Sequence, residues 1–428
     1  MEEWKQDKLI DLLDSLIDYR GKTPRKVDKG IPLITAKIVK NGRIDTPTEF
    51  LDIEDYDNWM VRGFPKNGDV ILTTEAPLGE VAQLDDNKIA LAQRIVCLRG
   101  KEGVLDNTFL KYFLLSSLGQ ARLKARETGT TVTGIKQSEL KEVLIDYPPY
   151  KYQKQITSIL KSLDDKIELN RRINENLEQQ AQALFKSWFV DFEPFKDGLF
   201  VDSELGKIPE GWQVGTFKDI IHSTLSGDWG KECKQGNHIQ KVFCIRGADI
   251  PNIKRGDKGN MPTRFIIEKN FQSKALMDGD MVIEVSGGSP TQATGRACRI
   301  SRGLLDKYNH SIVCTNFCRA IKPLSQYSSF LYYMWEMFYN QGIMFSYENG
   351  TTGIKNLDIN GLIQKEPIII PPVEIALEFE KITQIYYEKI QSNGVESEML
   401  SLLRDTLLPR LMSGELKISD IKNKKLQE

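Results

Sequence analysis

Short apolar runs separated by turn residues dominate the first 149 residues of the chain. Gly-Asp, Asn-Gly or Pro signals bound these runs, which is typical of short β-strands. The predicted strands cover residues 31–34, 70–72, 89–91, 95–98 and 143–145. Longer amphipathic stretches predict helices over residues 9–16 and 108–124. The pattern predicts one α/β module.

A similar pattern returns between residues 210 and 371. A helix is predicted over residues 328–339, and strands are predicted at 242–245, 281–285, 312–313 and 368–370. The chain is therefore predicted to contain a second α/β module of the same plan.

Two long charged stretches follow these modules, and each begins after a pair of prolines. Apolar and amide residues recur there at alternating spacings of four and three, which is the heptad pattern of a coiled coil. The first seam comprises Ile156, Leu160, Leu163, Ile167, Asn170, Leu177 and Leu184. The second comprises Phe379, Tyr386, Ile390, Asn393, Leu400 and Leu407. We expect the two helices to pair with each other, although packing of each helix on its own module stays open.

Particular residues within these helices predict finer features. Asn170 and Asn393 lie within the seams, where a buried amide lowers stability but fixes register. Gly394 is expected to weaken the second helix and to allow a bend there.

The chain is an internal duplication. Trp4 and Asp11 recur 208 residues later as Trp212 and Asp219, whereas Pro148-Pro149 recurs 223 residues later as Pro371-Pro372. The Gly-Ile-Lys string at 134–136 also returns at 353–355. A repeat this long indicates two globular modules rather than a solenoid. We expect a pseudo-two-fold arrangement, which suits DNA with two half-sites.

These patterns predict six segments. They are a first module at 1–149, a helix at 150–190, a connector at 191–209, a second module at 210–371, a second helix at 372–414 and a tail at 415–428.

Composition restricts the class of protein. The 428 residues are 40% hydrophobic and 27% charged, and no run of ~18 apolar residues predicts a membrane span. Six scattered cysteines and the absence of signal-peptide character at the start predict a cytoplasmic location. The net charge of −1 indicates that any basic surface is local, or that a partner supplies phosphate contacts.

The ordered motifs resemble those of the specificity subunit of type I restriction-modification systems. The resemblance depends on Ile208-Pro-Glu-Gly-Trp212 before the second module, on the Gly-Ile-Lys strings and on the double prolines. The strings at 184–192 and 407–414, which end the helices, complete it. It implies an α/β fold with two duplicated target-recognition domains joined by two long antiparallel coiled-coil helices.

The resemblance also implies function and partners. Each domain would recognise one half of a bipartite double-stranded DNA target, while the helices would set the spacer and dock two methyltransferase subunits. Nuclease-translocase subunits would join the complex, and S-adenosylmethionine, ATP and Mg²⁺ would bind to partner subunits. This chain itself would be non-catalytic and hold no cofactor. The alternatives are a self-contained DNA methyltransferase or nuclease and a tandem protein-binding scaffold.

Two motifs that could carry chemistry favour structural roles. Asp146-Tyr-Pro-Pro-Tyr150 differs by one residue from the amine-acceptor motif of adenine methyltransferases. That motif requires an Asn or Asp directly before the two prolines, and here Tyr147 holds that position. Prolines at a helix start are the structural alternative. His310, Cys314 and Cys318 could be zinc ligands, but they lack a fourth ligand at a familiar spacing, so buried cysteines and no metal are expected.

Loops rich in hydroxyl, glycine and basic residues are the candidate DNA contacts, because such groups bind phosphates and base edges. In the first module the candidates are Arg20, Lys22, Thr23, Arg25, Thr73, Thr74, Arg94, Thr130, Thr131 and Lys136. In the second they are Lys231, Arg246, Arg264, Ser286, Gly287, Arg296, Thr351, Thr352 and Lys355. A purely structural turn remains the alternative for each loop.

Overall fold

The computed structural model describes residues 3–19, 23–86, 88–129, 133–289, 292–350 and 355–418. The chain divides into two compact units. The first unit comprises Met1–Asp165 and Leu400–Glu428, and the second comprises Lys166–Met399. Each unit therefore contains one predicted module and a part of each long helix. Among the described residues, no helix is long and apolar enough to cross a membrane.

Two four-stranded sheets form the module of the first unit. One is antiparallel, in the order Leu13–Asp18, Ile95–Gly100, Val70–Thr74 and Leu78–Gln83. The other has the order Ala90–Leu91, Ile31–Ile34, Phe50–Leu51 and Lys26–Val27. Two-stranded pairs join Lys5–Lys8 to Leu144–Tyr147, and Val39–Lys40 to Arg43–Ile44. The helices are Leu9–Leu12, Tyr56–Trp59, Asn107–Leu115, Ser117–Lys124 and Gln137–Lys141.

The second unit repeats this plan with different loops. Its four-stranded sheet has the order Ile221–Ser226, Cys318–Pro323, Met281–Glu284 and Ala297–Arg299. A three-stranded sheet has the order Thr263–Ile267, His238–Ile245 and Ile312–Cys314, and another has the order Ser286–Gly287, Lys355–Leu357 and Glu348–Asn349. Gln213–Thr216 pairs with Pro367–Ile370, and Phe200–Ser203 pairs with Gly206–Pro209. The α-helices are Ile250–Lys254, Glu268–Lys274, Arg302–Lys307, Ser328–Asn340 and Ile359–Lys365, and 3-10 turns cover Glu193–Phe195, Phe217–Ile220, Ser325–Tyr327 and Ile343–Tyr347.

Two predicted helices of the first module are wrong in detail. The predicted helix at 9–16 ends at Leu12, because Leu13–Asp18 pairs with Ile95–Gly100 as a strand. The predicted helix at 108–124 is two helices that meet at Ser116. That residue is extended (ψ 157°), and its hydroxyl caps the second helix by accepting a hydrogen bond from the Gly119 N–H at 3.1 Å. A local hydroxyl therefore ends a helix that the apolar spacing would continue.

The duplication is visible in strand register. Lys5 lies opposite Tyr147, and Gln213 lies opposite Ile370. The offset of 208 relates Lys5 to Gln213, and the offset of 223 relates Tyr147 to Ile370, as in the sequence. The Gly-Asp turn also has the same electrostatic support in both copies. Asp69 pairs with Arg99 at 2.7 Å, and Asp280 pairs with Lys322 at 3.0 Å.

The lysines of the Gly-Ile-Lys strings, Lys136 and Lys355, in contrast, do not occupy equivalent positions. The Ile135 N–H donates to the carbonyl of Thr74, and the matching bond in the second unit runs from Leu357 to Val285. Lys136 consequently precedes a helix, at the position that Asp358 holds in the other copy.

The long helices are Tyr150–Phe189 and Val373–Met412, of 40 residues each. Within the second unit they run antiparallel, because Lys166 pairs with Glu396 at 3.0 Å whereas Asn174, further along, contacts Ile390. Each helix also packs on the modules. Phe185 and Phe189 belong to the core of the second unit. Ile156 and Leu160 belong to that of the first, together with Leu411 of the second helix. The long helices therefore both pair with each other and pack on the modules.

The predicted seams are only partly buried. Ile156, Leu160, Asn170, Phe379, Ile390 and Asn393 are buried, whereas Leu163, Ile167, Leu177, Leu184, Tyr386, Leu400 and Leu407 are half-buried. The second helix continues through Gly394 without a break. A side chain there would collide with the Gly256 carbonyl, since an added Cβ would lie 2.1 Å from its oxygen. Gly394 thus lets a loop approach the helix.

Asp164 joins three helices of the first unit. Its carboxylate accepts hydrogen bonds from the Tyr112 hydroxyl at 2.6 Å and from Arg404 at 2.9 Å, and Lys111 lies 3.4 Å away. Burial alone would raise the pKa of Asp164, but Lys111, Tyr112 and Arg404 outweigh it and hold that pKa below its usual value. The ionised carboxylate therefore stabilises the folded unit.

We expect Asp164→Asn to lower the free energy of unfolding of the first unit by about 2 kcal/mol at pH 7, because hydrogen bonds to a charged group are lost. The native contribution is complete above the ordinary Asp pKa of ~3.9 and is lost as pH falls through the lower folded pKa. The difference between variant and wild type should therefore shrink in acid. Hydrogen exchange of the Asn107–Leu115 backbone amides, at pH 7 and in acid, measures this difference in unfolding free energy.

Asp165→Asn is the matched control, since its exposed i,i+4 pair with Lys161 contributes less than ~0.5 kcal/mol. Equal protection of the two variants at pH 7 would contradict the role given to Asp164.

Candidate nucleic-acid interface

Two candidate loops converge in the first unit. The loop that follows Val70–Thr74 meets the loop before Gln137–Lys141, where Glu75 pairs with Gly134. Thr128 and Gly134 exchange backbone hydrogen bonds of 2.7 and 3.0 Å. A Cβ added at Gly134 would lie 2.8 Å from the Thr74 carbonyl oxygen, so the glycine permits this approach.

The corresponding loops also converge in the second unit. Ser286 pairs with Asn356, and Gly287 pairs with Lys355. The Ser286 hydroxyl donates to the Asn356 side-chain oxygen at 2.5 Å. Both copies thus place the loop after the Gly-Asp strand beside the loop that precedes the last helix of the module.

The candidate residues differ in accessibility. Thr23, Arg25, Lys136 and Lys231 are exposed. Thr73 and Thr74 are buried in their strand, where the Thr73 hydroxyl accepts a hydrogen bond from Glu80 N–H at 2.9 Å, so neither side chain can touch DNA in this conformation. Arg20, Lys22, Thr130, Thr131, Thr351 and Thr352 lie outside the described residues.

Every candidate arginine of the second unit is paired with a carboxylate. Arg296 makes a two-pronged pair with Glu284, both contacts being 2.7 Å. Arg246 pairs with Asp249 at 3.0 Å. Arg264 lies 2.9 Å from Glu232 and also stacks 3.9 Å from the Trp229 ring.

Two further basic candidates, Arg94 and Lys355, are paired in the same manner. Arg94 of the first unit pairs with Glu75 at 2.9 Å, and Lys355 pairs with Glu348 at 2.7 Å. These contacts hold the loops in place and reduce the positive charge available to phosphates.

Sequence reasoning missed the carboxylates that organise the loops. Glu284 is only 6% exposed, and it lies so close to Gly247 and Gly287 that a Cβ at either would be 2.3 or 2.8 Å from its oxygen. Glu348 accepts hydrogen bonds from the Thr294 N–H and hydroxyl and pairs with Lys355. The only available signal was a lone acidic residue that ends an apolar strand, as Glu284 does after Met281–Ile283.

The motifs considered for catalysis are occupied by structural contacts. Asp146 pairs with Arg122 at 2.7 Å, and the Tyr147 hydroxyl donates to Asp7 at 2.6 Å. His310 is exposed and pairs with Asp306, whereas Cys314 and Cys318 are buried. Burial raises the pKa of Cys318 to about 11, which keeps its thiol protonated. No group of three metal-ligating side chains occurs among the described residues.

Two copies of one α/β module, each attached to long helices that pair with each other, define a duplicated recognition subunit. A family model described as the type I restriction modification DNA specificity domain matches residues 1–179. The specificity subunit of the type I restriction enzyme MjaIX of Methanocaldococcus jannaschii is 33% identical over 370 residues, which cover 84% of this chain and 80% of that relative. The chain belongs to the family of type I restriction enzyme specificity subunits.

Further relatives agree with this assignment. The HindI specificity subunit of Haemophilus influenzae is 26% identical over 412 residues, covering 82% of this chain and 87% of its own length. The crystal structure of the S subunit of a type I restriction-modification system from M. genitalium superposes with a TM-score of 0.52 at 18% identity, covering 96% of both chains. That similarity shows a shared fold.

We expect Arg296→Ala to destabilise the second unit by about 3 kcal/mol, because it leaves the buried Glu284 carboxylate without its partner. Thermal unfolding of the purified chain measures the change. Arg302→Ala is the matched control: its side chain is 72% exposed and lies 3.6 Å from Asp306, so the expected effect is below ~0.5 kcal/mol. Replacing both Glu284 and Arg296 by Met should recover part of the loss. If Arg296→Ala is as stable as the control, the pair does not hold the loop.

Proposed function

We propose that this chain is the DNA specificity subunit of a type I restriction-modification complex and that each module recognises one half of a bipartite duplex target. The observation that carries the proposal is the pair of converging loops, which is built once in each unit beside an equivalent Gly-Asp turn. Loops held on a rigid sheet are where binding residues concentrate.

The side chains of the two loop pairs differ. In the first unit they present Lys136 and Glu75, which pairs with Arg94 of a neighbouring turn, and in the second they present Ser286, Lys355 and Asn356. Because base recognition depends on the donors and acceptors that reach the groove, different side chains on one scaffold suit two different half-sites.

The paired helices are proposed to dock two methyltransferase subunits, with nuclease-translocase subunits joining the complex. Several large apolar side chains of these helices are exposed, which favours cover by a partner. They include Leu169, Ile385, Met399 and Leu402, of which Leu402 is 70% exposed. We further propose that helix length, roughly 60 Å for 40 residues, sets the spacer between half-sites.

Chemistry is assigned to those partner subunits, which would bind S-adenosylmethionine, ATP and Mg²⁺. In support of a non-catalytic role, Asp146 and Tyr147 of the motif that approaches an amine-acceptor site are engaged in contacts within the first unit. A cytoplasmic location is also proposed, because five of the six cysteines are buried free thiols.

Exchanging residues 215–365 for the same region of a relative with a different target tests the modular proposal. One half of the methylated sequence should change while the other half and the spacer stay, because each module would carry its own contacts. The measurement is the methylated motif in DNA from cells that express the complex.

The reciprocal exchange of residues 7–142 is the matched control and should change only the other half. Simultaneous change of both halves in either hybrid would refute recognition by independent modules.

A further inference from the structure

The second unit contains a groove that its loop pair does not form. It encloses about 470 Å³ at one end of the sheet of Thr263–Ile267, His238–Ile245 and Ile312–Cys314. Lys234, Lys241, Phe243, Tyr308 and Asn309 line it, and no carboxylate of the described residues does. In a chain of net charge −1, a cleft lined only by basic, aromatic and neutral side chains is a local feature that favours an anionic ligand with flat apolar faces.

The aromatic side chains form one surface. The rings of Phe243 and Tyr308 lie 4.5 Å apart, and the Lys241 ammonium lies 5.4 Å from the Phe243 ring centre. Both residues are half-buried, and both line the groove. Lys234 and Lys241 are exposed and form no ion pair with another described residue. This differs from the candidate arginines of the same unit, Arg246, Arg264 and Arg296, which are paired with carboxylates.

A strained turn presents an amide at the edge of this groove. Asn309 and His310 have φ values of 50° and 55°, so two successive non-glycine residues are left-handed. Each such residue costs of order 1 kcal/mol or more, and such strain concentrates at functional sites. The His310 N–H bonds to the Leu305 carbonyl at 2.9 Å and its ring pairs with Asp306, which fixes the turn. The Asn309 side chain is exposed, and no described residue hydrogen-bonds to its side-chain amide group.

The groove is not part of the duplicated plan. In the first unit the Ala92 N–H donates to the Ile34 carbonyl, and in the second unit the Thr315 N–H donates to the Ile245 carbonyl. Each donor directly follows the parallel strand that pairs with its acceptor's strand. This equivalence places Gly30 and Pro32 of the first unit at the positions of Lys241 and Phe243. At the sequence offset of these paired strands, Asp85 and Asp86 stand in the loop where the second unit has Tyr308 and Asn309. Surfaces that dock a common partner should be alike in both copies, whereas surfaces that recognise different half-sites should differ.

We propose that this groove is a second DNA-contact site of the second unit, in which Lys234 and Lys241 bind phosphates and Asn309 recognises one base. The proposal rests on the proposed DNA-specificity function and deepens it. An Asn amide can donate to N7 and accept from N6 of adenine in the major groove, which makes an adenine the expected base. Phe243 and Tyr308 supply the apolar surface against sugar or a thymine methyl group.

The lysines are tested in the complete complex with its methyltransferase subunits, by titrating duplex DNA at several salt concentrations. Lys234→Ala with Lys241→Ala should weaken binding to target and non-target DNA alike and should reduce the slope of log K against log salt by about two, since each phosphate contact contributes ~0.9. The matched control replaces Lys207 and Lys218, two exposed lysines elsewhere in the unit, by Ala and should leave the slope unchanged.

The amide is tested separately by Asn309→Gly, which tolerates the left-handed backbone and removes only the side chain. Methylation of duplexes with single base changes should lose roughly ten-fold discrimination at one position of one half-site. The half-site of the first unit should be unaffected. His310→Gly controls for relief of strain and should keep the preference at that position.

Distinct outcomes separate the two proposals. If the wild-type complex recognises a bipartite target but the groove variants keep its affinity, salt slope and base preference, the groove does not bind DNA and only this inference fails. Loss of the methyltransferase subunits from the variant complexes would show a protein interface instead and would also overturn it. If the wild-type complex recognises no bipartite target, the proposed function itself fails.

Discussion

The pairing of the long helices depends on a layer of buried amides. In the second unit, the Asn393 amide donates to Asn174 at 2.8 Å, and Asn174 in turn donates to the carbonyls of Arg255 at 2.9 Å and Ile390 at 3.2 Å. Asn170 donates to Glu396 at 2.8 Å. All three asparagines are at most 6% exposed.

A buried amide without partners costs about 1–3 kcal/mol, so a shift of either helix would leave several polar groups unsatisfied. The layer therefore selects one register. Because the Arg255 carbonyl belongs to the module, the same hydrogen bonds also attach the module to the helices at a fixed position.

Charge is used within the units in a related manner. Arg99, Arg246, Arg296 and Arg299 all pair with carboxylates that are buried or partly buried. Such pairs fix loops on sheets, and each offsets the charge of one arginine in a chain whose net charge is −1.

The sequence predicts the duplication and both long helices well, because their signals extend over many residues. The paired offsets of Trp4 and Pro148 reappear as strand register, and the two helices begin just after the double prolines. Shorter elements were less predictable. Residues 13–16 were assigned to a helix, but pairing with a strand more than 80 residues away made them a strand.

The candidate site was predictable only as loops. The Gly-Asp turns and hydroxyl-rich strings identified two segments that do converge in each unit, yet nothing in the sequence indicated that Thr73 and Thr74 are buried or that Arg296 is held by Glu284. Those facts depend on tertiary contacts. The groove was missed for the same reason, since its two aromatic residues, Phe243 and Tyr308, are more than 60 positions apart in the sequence.

The most direct test of the central claim is the set of methylated motifs in genomic DNA, measured by long-read sequencing in cells with and without this gene, with the methyltransferase subunits present in both. The account predicts one motif with two defined half-sites separated by a fixed number of unspecified bases, and its complete loss when the gene is removed. A continuous motif, or a bipartite motif that persists without this chain, would contradict it.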